Sequence, residues 1–176
     1  MRLIFLGSGP AVASAAQDHI AFVLDTPSGY WLIDVGGSTA HRLLRLGFDP
    51  FEVKGILVTH GHADHLYGLP VFVQDLFVRE FERGPRAPLS IYANGIARER
   101  ARAVLAAFDC GFPFIKFELI PETPDALVLE DDDFILRATP TDHSLPSHAF
   151  RFEPKRGGRV VVYSADTAPH PNVVAL

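Results

Sequence analysis

Between residues 60 and 65 the chain reads His60-Gly61-His62-Ala63-Asp64-His65, three imidazoles and a carboxylate separated only by small residues. Donors of this kind at this density suit zinc and similar divalent ions. His60 and His62 lie two apart and can reach one ion from an extended or turning backbone. Asp64 and His65 start one step further round and can reach a second ion beside the first. The plain alternative is a polar loop whose histidines cap a helix. That alternative suits a lone histidine better than four donors at the end of an apolar strand. A second stretch, Thr141-Asp142-His143-Ser144-Leu145-Pro146-Ser147-His148, places His143 after a strand and before a Pro-broken loop. His143 alone is a weak signal. Asp142 reads as a turn residue or acceptor, and His148, opening the next strand, as a support to the metal ligands or a substrate contact. Ser8, Ser144 and Ser164 lack any triad pattern, so no serine nucleophile is expected.

Several elements must position these donors. Residues 2–6 form an apolar strand ended by the turn Gly7-Ser8-Gly9-Pro10, and 11–18 reads as a loop. Strands over 20–25 and 30–35 join across the hairpin signal Thr26-Pro27-Ser28-Gly29. Asp34 closes the second of them and reads from the local pattern as a turn aspartate. Ser38 is expected to cap a short helix carrying Leu43, Leu44 and Leu46. The strand 55–59 delivers the histidine loop, and the apolar repeat from Leu69 to Phe81 predicts a helix. A strand over 89–93 and a helix over 96–108 follow; Arg98, Arg100 and Arg102 on that helix read as a solvated face. The aromatic run 112–117 is either core or a substrate-facing wall. Strands are expected over 116–120, 126–130 and 134–138, with the acidic stretch 130–133 as a solvated turn, then over 149–153 and 159–164. Periodicity alone gives α/β or α+β.

The chain has 176 residues, 48% of them hydrophobic, which suits one well-cored domain. Its 16 basic and 21 acidic residues give a net charge of -5. That balance carries no polybasic footprint for DNA or a membrane surface. A single cysteine, Cys110, excludes an intrachain disulfide and fits the cytoplasm; it reads as a small buried hydrophobe near a helix end. No apolar run reaches membrane-spanning length.

His-x-His-x-Asp-His after an apolar strand resembles the signature of the metallo-β-lactamase superfamily. Leu3-Ile4-Phe5-Leu6-Gly7-Ser8-Gly9 resembles the opening strand and glycine turn of its ribonuclease Z and cyclic-phosphodiesterase branch. Tyr163-Ser164-Ala165-Asp166-Thr167 resembles that branch's later strand, which ends in a metal-bridging aspartate. These segments frame residues 3–167. The resemblance implies an αββα sandwich of two mixed sheets flanked by helices. It implies one metal on His60, His62 and His143, a second on Asp64 and His65, and Asp166 bridging both. Asp34 would support the metal loop. Zinc is the expected ion, two per site, with manganese or iron as alternatives. The implied reaction is hydrolysis of a phosphodiester, small or at an RNA end, by a hydroxide shared between the ions and oriented by Asp64. Two rivals stand beside it: a thioester or carboxylic-ester hydrolase of the same fold, and a non-catalytic metal-binding chain. Two departures bear on this. The interval from His143 to Asp166 is short for the long arm of many ribonuclease Z enzymes. The chain also stops at Leu176, before any match to the family's later histidines. A single domain over 1–176, incomplete at its C-terminus and able to pair as a homodimer, is therefore expected.

Overall fold

Two residues between strands leave no geometry but an antiparallel return. Gly29–Ile33 (β3) accordingly folds back on Ala21–Thr26 (β2), which pairs antiparallel with Arg2–Gly7 (β1). The next strands, Val53–Leu57 (β4), Leu89–Ala93 (β5) and Ile115–Leu119 (β6), are each reached through helix and therefore run parallel. The helices are Thr39–Arg45 (α1), Ala63–Leu66 (α2), Leu69–Arg83 (α3) and Gly95–Ala107 (α4). The first sheet is thus mixed, in the order β1-β2-β3-β4-β5-β6. The computed structural model describes residues 1–12 and 14–176; the expected loop over 11–18 includes residue 13, which lies outside the described residues.

Ala126–Glu130 (β7), Phe134–Pro140 (β8), His148–Pro154 (β9) and Val161–Tyr163 (β10) make the second sheet, in the order β10-β9-β8-β7. Every pair in it is antiparallel, which corrects the expectation of two mixed sheets. Consecutive strands joined by short loops, without a helical crossover, can pair in no other sense. A short helix, Pro171–Ala175 (α5), lies beside β8. Among the described residues the main helical layer covers the first sheet only.

Side-chain alternation along the first sheet fills two cores. Val23, Leu32, Ile56 and Ile91 bury against Leu43 of α1, Phe72 and Leu76 of α3, and Ala97, Ala101 and Leu105 of α4. On the opposite face Phe22, Leu24, Trp31, Ile33 and Leu57 meet Phe134, Leu136, Phe150 and Phe152 of the second sheet. Phe112 stacks on Phe77 at 4.0 Å and packs with Phe114 on the helical side, so the aromatic run is core and not a substrate wall. Cys110 is buried there, its thiol pushed up by burial and then by Asp109.

Two local expectations are corrected. Ser38 precedes α1 but makes no side-chain cap; its hydroxyl donates to Asp18, which also accepts from Arg42. The acidic turn is not simply solvated. Asp131 and Asp133 are buried, Asp133 accepting from the Ser28 backbone and Asp131 pairing with Lys54 at 2.6 Å. Burial without partners would cost these carboxylates heavily, and Ser28 in the β2–β3 turn and Lys54 on β4 supply the partners.

Candidate metal centre

The donors gather where the C-terminal ends of β3 and β4 meet the loops after β8 and β10. Asp34 leaves β3 in the left-handed region, φ 56°, a conformation aspartate tolerates better than most residues. This turns its carboxylate inward, where it is fully buried. It accepts from the Thr59 backbone N–H at 2.8 Å, from the Thr59 hydroxyl at 2.9 Å and from His65 Nδ1 at 2.7 Å. Backbone bonds lock the same corner: Val35 N–H to the His65 carbonyl, and Gly68 N–H to the Val35 carbonyl. Gly36 must be glycine here, because a Cβ would land on the carbonyl oxygen of Asp64.

One carboxylate therefore assigns two tautomers. The Thr59 hydroxyl spends its proton on Asp34, so its oxygen accepts from His60 Nδ1 at 3.1 Å. His65 Nδ1–H donates to Asp34 directly. Both rings are left with Nε2 free to bind, the arrangement that outer hydrogen bonds impose on metal-ligating imidazoles. Sequence reading passed over Thr59. Its only signal was a hydroxyl residue standing between the apolar strand and His60.

The free nitrogens converge. His60 Nε2 lies 2.9 Å from His62 Nδ1, and His143 Nε2 lies 3.1 Å from the same atom. Ligand atoms of His60, His62 and His143 all fall within 4.8 Å of one another, as do those of His60, His65 and Asp166. His60 thus stands in both groups, which spacing did not foresee. Asp166 follows Ala165, itself at φ 53°, and its two oxygens face different rings. Oδ1 is 3.8 Å from His65 Nε2 and Oδ2 is 4.0 Å from His143 Nε2. Asp64 Oδ2 stands 3.7 Å from His65 Nε2 but outside the mutually close sets. The loops carrying His143 and Asp166 are tied together: Ala168 N–H donates to the Asp142 carbonyl at 2.7 Å, and the Thr141 hydroxyl donates to the Asp166 carbonyl at 3.3 Å.

His148 departs from expectation. Its ring is buried against the Pro121 carbonyl, 3.2 Å from Nε2, and only its backbone N–H reaches the metal loop, at the Thr59 carbonyl. A ring so enclosed cannot touch substrate; it anchors the start of β9. The arginines of α4 also differ from a purely solvated face. Arg102 lies over Phe117, 4.9 Å from its centroid, and Arg100 donates from Nη1 to the Gly61 carbonyl at 2.8 Å. Nothing in the helical charge pattern had marked Arg100.

Electrostatics suit a cation at this place. Burial, and then the charge of His65, lowers His60 to about 4, so its ring is neutral and its lone pair available. His62 is also lowered, by burial and then by His143. For His65 burial opposes the charged form, yet Asp34, Asp166 and Asp64 together raise it. The carboxylates favour positive charge at His65 Nε2, the charge a metal ion brings. Neutral nitrogens converging beside paired carboxylates fit a divalent ion.

These shifts set an acid response in chelator-treated protein. His60 is held below its unfolded value near ~6.5, so between there and about 4 the unfolded chain binds the extra proton. Buried His148, lowered chiefly by burial, acts in the same sense. His65 acts oppositely, its contribution being present below the unfolded value and lost as pH rises through its raised one. The thermal midpoint is expected to fall as pH drops from about 6.5 to about 4, with His60, His62 and His148 acting together there and His65 opposing them only above its unfolded value. A midpoint that is flat or rising toward acid would contradict the assignment.

With this geometry in view, residues 18–174 match the family described as the metallo-beta-lactamase superfamily. Ribonuclease Z of Anoxybacillus flavithermus is 34% identical over 159 residues, covering 88% of this chain and 49% of its own. Ribonuclease Z of a Synechococcus species (strain WH7803) is 31% identical over 187 residues, covering 100% of this chain and 56% of its own. The chain therefore spans about half the length of these curated relatives. Among solved structures, human tRNase Z, short form, superposes with a TM-score of 0.75 at 24% identity, covering 93% of this chain and 68% of that one. The metallo-beta-lactamase fold protein YhfI from Bacillus subtilis gives 0.76 at 20% identity, covering 93% and 62%. With its two stacked sheets and a match running through nearly the whole sequence, the chain belongs to the metallo-beta-lactamase superfamily.

Proposed function

We propose that this chain carries the metal-binding part of a ribonuclease Z-like phosphodiesterase acting on RNA ends or small phosphodiesters. The observation that carries the reading is Asp166, whose two oxygens face the two histidine groups separately, beneath the likeness to ribonuclease Z. His60, His62 and His143 would hold one ion, Asp64 and His65 a second, and Asp166 would contact both. Zinc is the ion we favour, since imidazole and carboxylate suit it; manganese and iron accept the same donors. When bound, such a pair supplies Lewis-acid activation of water and neutralises charge on the phosphate oxygens.

The chain's own groups do the rest. Asp34 and Thr59 fix which nitrogens face the reacting centre, and neutral His60 keeps its lone pair there. Asp64, partly exposed and 3.7 Å from His65 Nε2, would orient the attacking water and accept its proton. Asp166, with its side chain 46% exposed, stands where solvent and substrate can enter. A reducing cytoplasm agrees with the unpaired, buried Cys110. No helix among the described residues is long and apolar enough to cross a membrane.

The test is metal stoichiometry together with hydrolysis of bis(p-nitrophenyl) phosphate and of a thioester by the zinc-loaded chain. Diester cleavage that depends on added metal, with the thioester untouched, is expected. Thioester cleavage alone, or metal binding without turnover of either, would overturn the phosphodiesterase reading. Sizing the same sample tests pairing of two copies. In Asp166→Asn the shared contact is halved, so the second metal is expected to dissociate before the first. Two metals retained as tightly as in the parent chain would remove Asp166 from the centre.

A further inference from the structure

Asp34 and Thr59 settle the rings of His60 and His65, but no such outer partner serves His62 or His143. Among the described residues their ring nitrogens hydrogen-bond only with each other and with His60. Their placement therefore falls to the backbone that carries them. The two segments meet as a short antiparallel contact, in which the His148 N–H donates to the Thr59 carbonyl at 3.1 Å and His60 pairs with Ser147. The next pair in that register is Gly61 and Pro146, and proline has no N–H to return to the Gly61 carbonyl. That carbonyl is left for another donor, and α4 supplies it. Arg100 donates from Nη1 to the Gly61 carbonyl at 2.8 Å. The same helix also holds the opposite segment. Asn94, its fully buried N-cap, accepts from the Ala97 N–H at 2.9 Å and donates from Nδ2 to the Pro146 carbonyl at 2.8 Å. Gly61 lies so close to the helix that an added Cβ would stand 2.8 Å from Arg100 Cδ and 3.4 Å from the Ala97 Cα.

We infer that Asn94 and Arg100 are positioning residues of the metal centre, two grips from one helix that keep His62 and His143 facing one place. The assignment rests on the reading in which His60, His62 and His143 hold one ion. Arg100 grips the residue just before His62, and Asn94 grips the loop just beyond His143. Because Asn94 caps α4, both grips belong to one rigid element and act in series. Releasing either one lets His62 drift against His143, whose nitrogens now lie 3.1 Å apart. A merely structural role would look different. Asn94 would then matter only through the start of α4, and Arg100, exposed on that helix, would matter little to anything.

The experiment measures zinc affinity of the full chain by competition with a chromophoric chelator, beside the visible spectrum of the cobalt(II)-loaded chain. Asn94→Ser keeps a hydroxyl that can cap α4 but is too short to reach Pro146. Arg100→Met keeps a stem over Gly61 and loses the donors, whereas Arg100→Lys keeps one. Asn94→Ser and Arg100→Met are each expected to weaken zinc about 2- to 10-fold, the range of one hydrogen bond, and to shift the cobalt bands. Arg100→Lys is expected to recover most of what Arg100→Met loses. Grips in series make a further demand: the double variant should lose no more than the weaker-binding single, where independent effects would multiply. Zinc affinity unchanged in either single variant, no recovery in Arg100→Lys, or losses that multiply overturn the inference. Should Asn94→Ser fail to fold, the two Arg100 variants decide by themselves, through loss in one and recovery in the other. A parent chain that binds neither zinc nor cobalt overturns the metal-centre reading instead.

Discussion

His60→Ala is expected to empty the centre of tightly held metal and to lower phosphodiester hydrolysis by more than about 100-fold, beyond what loss of an outer support alone produces. The size follows from geometry. His60 is the one imidazole whose ligand atom falls within both close-set groups, so its removal weakens each. His62 and His143, left at 3.1 Å from each other, lack a third nitrogen, and His65 with Asp166 loses its neighbour. Metal content by elemental analysis and the thermal midpoint with and without zinc read the effect. Ser147→Ala is the matched control: this buried hydroxyl has no hydrogen-bond partner among the described residues, so its loss should leave metal content unchanged. Unchanged metal content in His60→Ala would remove the centre as drawn.

Asp34→Ala is expected to do comparable damage from outside the ligand set. It strips the acceptor from one backbone N–H, one hydroxyl and one imidazole at a fully buried site. Leaving such groups unpaired costs about 3–5 kcal/mol in stability, by the measure of broken buried pairs. The freed tautomers of His60 and His65 are expected to weaken zinc roughly 10- to 100-fold as well. Asp34→Asn separates the two effects. Asparagine tolerates the φ of 56° and keeps the shape, but its amide N–H₂ faces a donor at His65 or at Thr59. It should fold better than the alanine variant while still losing metal affinity. Nitrogen NMR of the imidazoles would show His65 losing its fixed Nδ1–H form. Wild-type zinc affinity and midpoint in Asp34→Ala would refute the relay.

What the sequence made legible was what depends on local pattern. Alternation and turn signals gave the strands, and the repeat from Leu69 to Phe81 gave α3 within two residues of its end. His60, His62, Asp64 and His65 fall within six residues running from the end of β4 into α2, so their neighbourhood could be read from spacing. His143 and Asp166 come near that loop only through the fold, and it was the family resemblance that singled them out as partners. The misreadings share a cause. Arg100, His148, Asp131 and Asp133 carry polarity that usually means solvent, and each is instead claimed by a group distant in the chain. Arg100 bonds a carbonyl 39 residues away, and Asp133 accepts from an N–H 105 residues away. Periodicity has no term for such partners. Ser38 failed for the opposite reason: a suitable local role existed, but Asp18 offered a better acceptor to its hydroxyl.

The donors come from loops of two different sheets, and that division bears on the order in which the molecule assembles. His62 and His143 are 81 residues apart in sequence, yet their nitrogens are neighbours. The entropy of closing so long a loop must be met by docking the sheets, before any ion has a set of ligands to enter. Contacts of this separation slow folding and form late. Ion capture therefore belongs to the final steps, after Phe134, Leu136, Phe150 and Phe152 have closed over the first sheet. Once seated, the ion acts as a rivet between layers. Its withdrawal should loosen the 141–147 and 164–168 loops, seen as faster amide exchange there, while β2, β3 and β4 keep their protection.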